Sequence, residues 1–103
     1  MTEGLIIDDN RGNRTSLQEI LVANDFVVKT AASGKTGLLM LAEEAFDLVF
    51  IELEMPGKDS FVTCQTIKAN STLAGTPVIF IVGRVDLNLW FTTFRFTRRG
   101  CVI

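Results

Sequence analysis

The sequence predicts one α/β domain, residues 1–103, built on a doubly wound parallel sheet. Four short apolar runs of the kind expected for buried strands alternate along the chain with segments of helical periodicity. The connections between these segments are short, which favours strand–helix–strand units and a parallel sheet that helices cover on both faces. A length of 103 residues, of which 48% are hydrophobic, suffices for one core and leaves little for a second.

The four predicted strands are apolar runs that polar residues or a proline delimit. They cover residues 4–7, 26–28, 46–53 and 77–82. The first run is wholly apolar and stops at Asp8, as expected of a strand that is buried on both faces. Pro77 stands at the first position of the fourth run, where a strand tolerates proline.

Three helices are predicted between these strands. Asn24 is expected to end the first helix, Ser33 to cap the second, and the segment 70–75 to follow the third. Apolar residues at helical spacing are expected to face the core in all three helices. They are Leu17, Ile20 and Leu21 in the first helix, Leu38, Leu41 and Ala42 in the second, and Phe61, Cys64 and Ile67 in the third.

The run Ser33-Gly34-Lys35-Thr36 invites comparison with a phosphate-binding loop. That motif requires a glycine five residues before Gly34, where this chain has Lys29. The sequence therefore excludes a phosphate-binding loop and places Gly34 in a turn or in the first turn of a helix.

The segment 85–103, with the sequence VDLNLWFTTFRFTRRGCVI, fits either a helix or a strand. As a helix it has a cap at Asp86, an aromatic face, a basic end and a terminating Gly100. As a strand it has the β propensity of its phenylalanine and threonine residues. We predict the helix because cap, face, basic end and glycine agree, and residues 101–103 would then begin a fifth strand.

Composition narrows the functional classes. The chain contains no histidine, which excludes histidine-ligated zinc, serine–histidine catalysis and a phosphohistidine carrier. A net charge of −2 gives no general electrostatic basis for nucleic-acid binding, and no signal peptide or apolar span of about 18 residues occurs. We therefore expect a cytoplasmic protein that binds neither nucleic acid nor membrane. Its two cysteines, Cys64 and Cys101, fit no metal-binding spacing and are expected to be reduced.

Three carboxylates are predicted to converge at the carboxyl edge of the sheet. Asp8 and Asp9 follow the first strand and Glu52 ends the third, and these strands are neighbours in one of the doubly wound orders. Such hard oxygen ligands suit Mg²⁺, and a carboxylate beside Mg²⁺ can act as a nucleophile toward a phosphoryl group. On spacing alone, three solvated loop acids explain the pattern equally well.

Four segments of the chain, taken in order, resemble the receiver domain of two-component response regulators, especially receivers attached to hybrid histidine kinases. The segments are LIIDDNRGNR, AASGKTGL, FDLVFIELEMPGKDSF and TPVIFIV, and the resemblance runs from residue 4 to about residue 82. It implies the flavodoxin-like receiver fold with strand order 2-1-3-4-5, here with the fifth strand and fifth helix truncated.

The resemblance also implies roles for particular residues. Asp8 and Asp9 match the acidic pair that organises Mg²⁺, and the backbone carbonyl of Glu54 falls where the family supplies another metal ligand. Glu52 takes the position of the phospho-accepting aspartate and is implied to be a metal ligand as well. Val82 falls where the family has the serine or threonine that bonds the phosphoryl group.

Three departures from the family pattern bear on mechanism. Glu52 extends the carboxylate by one methylene, on the order of 1 Å, and a misplacement of that size can cost about 100-fold in a positioned reaction. Val82 offers no hydroxyl to a phosphoryl oxygen. The lysine of the family's fifth strand, whose charge stabilises the transferring group, has no counterpart in this sequence.

These departures predict a pseudo-receiver that acts by protein–protein interaction in a phosphorelay rather than as an enzyme. Its expected partners are a histidine kinase, a phosphotransfer protein or an output domain, and Mg²⁺ binding is expected to be weak or absent. The alternatives are a Mg²⁺-dependent receiver phosphorylated on Glu52 and an oligomerisation module that uses the aromatic, basic tail. Because a receiver without its fifth strand and helix exposes a sheet edge, a homodimer is also expected.

Overall fold

The chain folds around a parallel sheet. A computed structural model describes residues 1–82 and the backbone of 95–97 and 100–102. Within these residues, four parallel strands lie in the order β2-β1-β3-β4, and three helices connect them. The elements are β1 (Thr2–Ile7), α1 (Arg11–Ala23), β2 (Phe26–Ala31), α2 (Gly34–Glu43), β3 (Leu48–Glu52), α3 (Asp59–Ala69) and β4 (Val78–Ile81). This order, with the third strand beside the first, confirms the doubly wound α/β class.

The central strands β1 and β3 are buried on both faces, as their unbroken apolar runs predict. Their successive side chains point alternately to two core clusters. Leu5 and Ile7 pack in the cluster beneath α2 and α3, whereas Ile6 packs in the cluster beneath α1. In the described part of the chain, α1 therefore covers one face of the sheet, while α2 and α3 cover the other.

The predicted ends of the helices and of the first, third and fourth strands are confirmed to within a residue or two. The second strand was predicted to end at Val28, but β2 continues for three more residues, to Ala31. Asn10 caps α1 and Asn24 ends it. The Ser33 hydroxyl accepts a hydrogen bond from the Thr36 backbone N–H at 3.2 Å, so Gly34 is the first residue of α2. This position agrees with the exclusion of a phosphate-binding loop.

Three predicted core positions are wrong, because Ile20, Ala42 and Phe61 lie exposed. Phe61 instead packs edge-on against the ring of Phe80, with 5.6 Å between ring centres. The positions that the helices bury include small and polar residues, which hydrophobic spacing does not reveal. They are Leu17 and Leu21 in α1, Gly34, Gly37 and Leu41 in α2, and Ser60, Thr63, Cys64 and Ile67 in α3.

Helix α2 approaches both the sheet and α3 at the positions of its glycines. A Cβ atom at Gly37 would overlap the Ile7 side chain, and one at Gly34 would overlap the Thr63 hydroxyl. The backbone N–H of Gly34 donates to Asp59 Oδ2 at 2.8 Å, so the first residue of α3 binds the first residue of α2. Glycine is thus required by the packing of these two elements.

The helix predicted for the tail is wrong at Arg95–Thr97, which forms strand β5. This strand pairs antiparallel with β6, Gly100–Val102, so Gly100 does not end a helix there. Cys101 lies in this pair and not in the parallel sheet. The β propensity of phenylalanine and threonine outweighs the helical pattern at this point. The predicted cap at Asp86 lies outside the described residues.

Cys64 is buried, as predicted, whereas the Cys101 side chain lies outside the described part. Among the described residues, none of the helices has the length and apolar character needed to cross a membrane.

Candidate functional site

Two acids at the ends of neighbouring strands form the centre of the candidate site. Ile7 of β1 is paired with Ile51 of β3 in the parallel register. The next residues, Asp8 and Glu52, are therefore neighbours at the carboxyl edge of the sheet. Both are buried, since 0% of the Asp8 surface and 4% of the Glu52 surface are exposed. The register thus brings two of the three acids that were predicted to converge to adjacent strand ends.

The Asp8 carboxylate has one bonded and one unbonded oxygen. Oδ1 accepts a hydrogen bond from the Asn10 backbone N–H at 2.9 Å, whereas Oδ2 is buried without a hydrogen-bond partner in the described residues. Burial raises the pKa of this carboxyl above its ordinary value, and the neighbouring Asp9 acts in the same direction. The Asn10 hydrogen bond and the positive charge of Arg14 lower the pKa again, but by less.

The Glu52 side chain turns toward the loop that follows its own strand. Its Oε1 accepts a hydrogen bond from the Glu54 backbone N–H at 3.1 Å. This loop is fixed further along by the buried Met55 and by the Ser60 hydroxyl, which donates to the Leu53 carbonyl at 3.0 Å. The carboxylate and the predicted metal-binding carbonyl of Glu54 are thus held in one short segment.

Val82 lies where the sequence predicts the position of the family's hydroxyl residue, directly after β4. Glu52 is paired with Ile81, and the Leu53 backbone N–H donates to the Ile81 carbonyl at 2.7 Å. Val82 therefore follows the residue that stands beside Glu52. It is half-buried, and its side chain is wholly apolar.

The residues present fit a hard cation. A buried carboxylate oxygen without a hydrogen-bond donor is costly, and a divalent cation would satisfy it. The donors at this edge are oxygens, and Mg²⁺ typically takes one or two carboxylates together with water. In residues 1–82, however, no group of three or more histidine, cysteine or acidic side chains is arranged to hold a metal. The ligand set of Asp8, exposed Asp9, Glu52 and Glu54 stays a prediction.

A residue near Asn10 makes a contact that was not predicted from the sequence. Arg14 Nη1 donates to the Asp8 backbone carbonyl at 2.8 Å, so a residue of α1 reaches back to the end of β1. This arginine ends the run N-R-G-N-R, but the sequence alone does not indicate that its side chain contacts Asp8.

A doubly wound parallel sheet with two buried acids at adjacent carboxyl ends defines a class of domain that binds ligands at that edge. A family model described as the response regulator receiver domain matches residues 5–102. The chain belongs to the response regulator receiver family.

Curated relatives support this assignment. The chain is 35% identical over 85 residues to the response regulator PleD of Caulobacter vibrioides, which covers 80% of the chain and 19% of PleD. It is 37% identical over 82 residues to the transcriptional regulatory protein AfsQ1 of Streptomyces coelicolor, covering 80% of the chain and 35% of AfsQ1. The chain thus spans about a fifth to a third of the length of these two relatives.

Solved structures show the same fold. The chemotaxis response regulator CheY4 of Vibrio cholerae has a TM-score of 0.73 and 25% identity, covering 78% of this chain and 67% of that one. The response regulator TrrA of Thermotoga maritima, solved in complex with Mg²⁺ and BeF, has a TM-score of 0.67 and 26% identity over 87% of this chain and 80% of that one. The chain is therefore a receiver domain of a two-component system, a class that interacts with histidine kinases and output domains.

Proposed function

We propose that this chain is a pseudo-receiver, which works in a cytoplasmic phosphorelay by docking to other signalling proteins rather than by accepting a phosphoryl group. The proposal rests on the position, burial and hydrogen bonding of Glu52. This glutamate takes the place of the acceptor at the end of β3, is buried, and is hydrogen-bonded to the loop beyond it. Its partners are a histidine kinase, a phosphotransfer protein or an output domain, and it acts as a binding module and not as an enzyme.

The position of the Glu52 oxygen explains why phosphorylation would be inefficient. The bond from the Glu54 N–H holds Oε1 toward the loop, so this oxygen could attack phosphorus only after the bond is broken. Releasing Oε1 would leave a backbone donor without its acceptor. Val82, beside the same position, supplies no hydroxyl for a phosphoryl oxygen.

The carboxylate of Glu52 can also replace part of the charge that a phosphoryl group would bring. A carboxylate carries one negative charge and two acceptor oxygens, against roughly −1.5 to −2 charges and three oxygens for a phosphoryl group. Val82 has no hydroxyl group, so it cannot bond the carboxylate in the way that the family's serine or threonine bonds a phosphoryl group. We therefore assign the signalling role to a constant docking surface and not to a switch.

The alternative is a phosphorylatable, Mg²⁺-dependent receiver. The observation that favours it is the buried Asp8 Oδ2, which has no hydrogen-bond partner among the described residues. Asp8, Asp9, Glu52 and the Glu54 carbonyl would hold the Mg²⁺ ion, which supplies charge neutralisation when bound. A Glu52 carboxylate oxygen would then attack phosphorus, forming an acyl phosphate and releasing the donor's leaving group.

Treatment with acetyl phosphate, and separately with beryllofluoride, in the presence of Mg²⁺ distinguishes the two functions. Under the docking proposal we expect no mass increase in the intact protein and no large donor-dependent change in its NMR spectrum. A stable phosphoryl adduct on Glu52, or large shifts with beryllofluoride that Mg²⁺ alone does not produce, would establish the alternative instead.

A further inference from the structure

The start of α1 is bonded to the end of β1 by a group of contacts that the proposed function does not use. Asn10 Oδ1 accepts from the Asn13 backbone N–H at 2.9 Å and caps the helix. The Asn10 N–H in turn donates to Asp8 Oδ1 at 2.9 Å. The Arg14 backbone N–H closes the first helical hydrogen bond, to the Asn10 carbonyl, at 3.0 Å.

Within this group, the Arg14 side chain binds the backbone of Asp8 and not its carboxylate. Nη1 lies 2.8 Å from the Asp8 carbonyl oxygen. The carboxylate keeps Oδ2 without a partner among the described residues, although a guanidinium forms strong, often bidentate hydrogen bonds with carboxylates. The half-buried arginine therefore fixes the chain at Asp8 while leaving a ligand oxygen available.

The bonded carbonyl matters for Asp9 as well. The Asp8 carbonyl and the Asp9 N–H belong to one planar peptide unit, so a donor that holds the oxygen also holds the orientation of that plane. Asp9 begins the loop from this plane and is exposed. The direction of both acids at the edge thus depends on one peptide unit that Arg14 holds from the next helix.

We propose that Arg14 is a positioning residue for a divalent cation at the acidic pair, acting through the Asp8–Asp9 peptide and not as a counter-charge. This inference rests on the Mg²⁺ site that was described for the alternative function, a Mg²⁺-dependent receiver. The two roles predict opposite signs. If Arg14 acted only as a nearby positive charge, its removal would strengthen cation binding; if it positions the acids, its removal weakens binding.

The test is a Mg²⁺ titration of Arg14→Met and Arg11→Met, in which calorimetry and amide NMR measure binding. Arg11 is exposed in the same first turn of α1 and carries the same charge, so its variant removes charge without removing the contact. We expect Arg14→Met to weaken Mg²⁺ binding by about tenfold or more, the range seen when a residue behind a metal ligand is lost. Arg11→Met should bind as well as the wild type or slightly better.

A metal-free measurement separates this inference from the Mg²⁺ site itself. Without metal, the Asp9 amide resonance should move in Arg14→Met and stay in place in Arg11→Met, because only the first substitution frees the Asp8 carbonyl. If the wild type binds Mg²⁺ and Arg14→Met binds it equally well or more tightly, the positioning role is wrong but the Mg²⁺ site stands. A wild type that does not bind Mg²⁺ would overturn the cation site and this inference together.

A second variant covers the case in which Arg14→Met does not fold. Arg14→Gln keeps a polar, neutral side chain that ends at the position of Nε, two bonds short of the donor Nη1, and so does not reach the Asp8 carbonyl. It is expected to show the same loss of Mg²⁺ affinity and the same movement of the Asp9 amide. If Arg14→Gln retained full affinity, the inference would be wrong.

Discussion

Asp8 and Glu52 are buried side by side at the carboxyl edge of the sheet, because each follows by one position the paired residues Ile7 and Ile51. Burial raises the pKa of Asp8 because it disfavours the ionised carboxylate. A domain that keeps such a pair gives up stability at this edge, and the arrangement is the reason to expect a ligand there.

Asp8→Asn is expected to stabilise the metal-free protein at neutral pH by about 1 kcal/mol, since it removes a buried charge whose Oδ2 has no donor in the described part of the chain. The sign follows from the raised pKa of Asp8 in the folded state. The contribution of this group to stability is complete below the ordinary pKa of 3.8 and is lost as the pH rises through the folded value. Thermal unfolding in EDTA at acidic and neutral pH measures it.

The advantage of Asp8→Asn should therefore be larger at neutral pH than at about pH 3.5. Asp9→Asn, at an exposed position, serves as the control and should change the melting temperature little at either pH. An equal difference between Asp8→Asn and wild type at both pH values would contradict the role of the buried charge.

Mg²⁺ should raise the melting temperature of the wild type and leave that of Asp9→Asn nearly unchanged. A ligand that binds only the folded state at about five times its Kd adds about 1 kcal/mol. Asp9 is exposed, so its loss affects the cation without disturbing the core. Differential scanning fluorimetry with and without excess EDTA checks this, and equal shifts in both proteins would remove Asp9 from the ligand set.

Glu52→Asp combined with Val82→Thr should give partial labelling by acetyl phosphate, and more than either single change. The shorter acid has the length of the aspartate that the family uses as acceptor, and threonine supplies a hydroxyl beside it. Intact mass spectrometry over time measures the adduct. Glu54→Asp shortens an exposed acid in the same loop and should gain none. Equal labelling of wild type and double variant would contradict the explanation.

Gly34→Ala should destabilise the domain by about 1–3 kcal/mol, the usual cost of overpacking. The new methyl group would overlap Thr63 Oγ1 and lie 2.7 Å from Asp59 Oδ1. Gly12→Ala is the matched helical control, because its Cβ meets its nearest neighbour, Asn10 Oδ1, at 3.4 Å. That change should be neutral or stabilising by up to about 1 kcal/mol. Urea denaturation compares the two, and equal stabilities would refute the close packing.

The sheet and the pair of acids could be predicted because both leave local signals in the sequence. Buried parallel strands are unbroken apolar runs, and an acid directly after such a run marks the carboxyl edge. Asp8 and Glu52 were found in this way. The helix faces were predicted less well, since α2 and α3 bury glycine, serine and threonine where they approach other elements.

The contacts behind the acids could not be predicted, because they join residues whose separation in sequence has no periodic signal. Arg14 reaches a backbone carbonyl six residues earlier, and nothing in the arginine itself distinguishes that partner from a carboxylate. In the tail, helical and extended patterns overlap, and the antiparallel pairing of β5 with β6 decides for strands at Arg95–Thr97.

The bond between Gly34 and Asp59 also has a consequence for how the chain assembles. A helix of ten residues is marginal by itself, and the first N–H of α2 finds its acceptor 25 residues further along. This hydrogen bond of the first turn of α2 can therefore form only when the start of α3 is in place. The two helices that cover this face should form together, as one cooperative unit, and fray together when either is weakened.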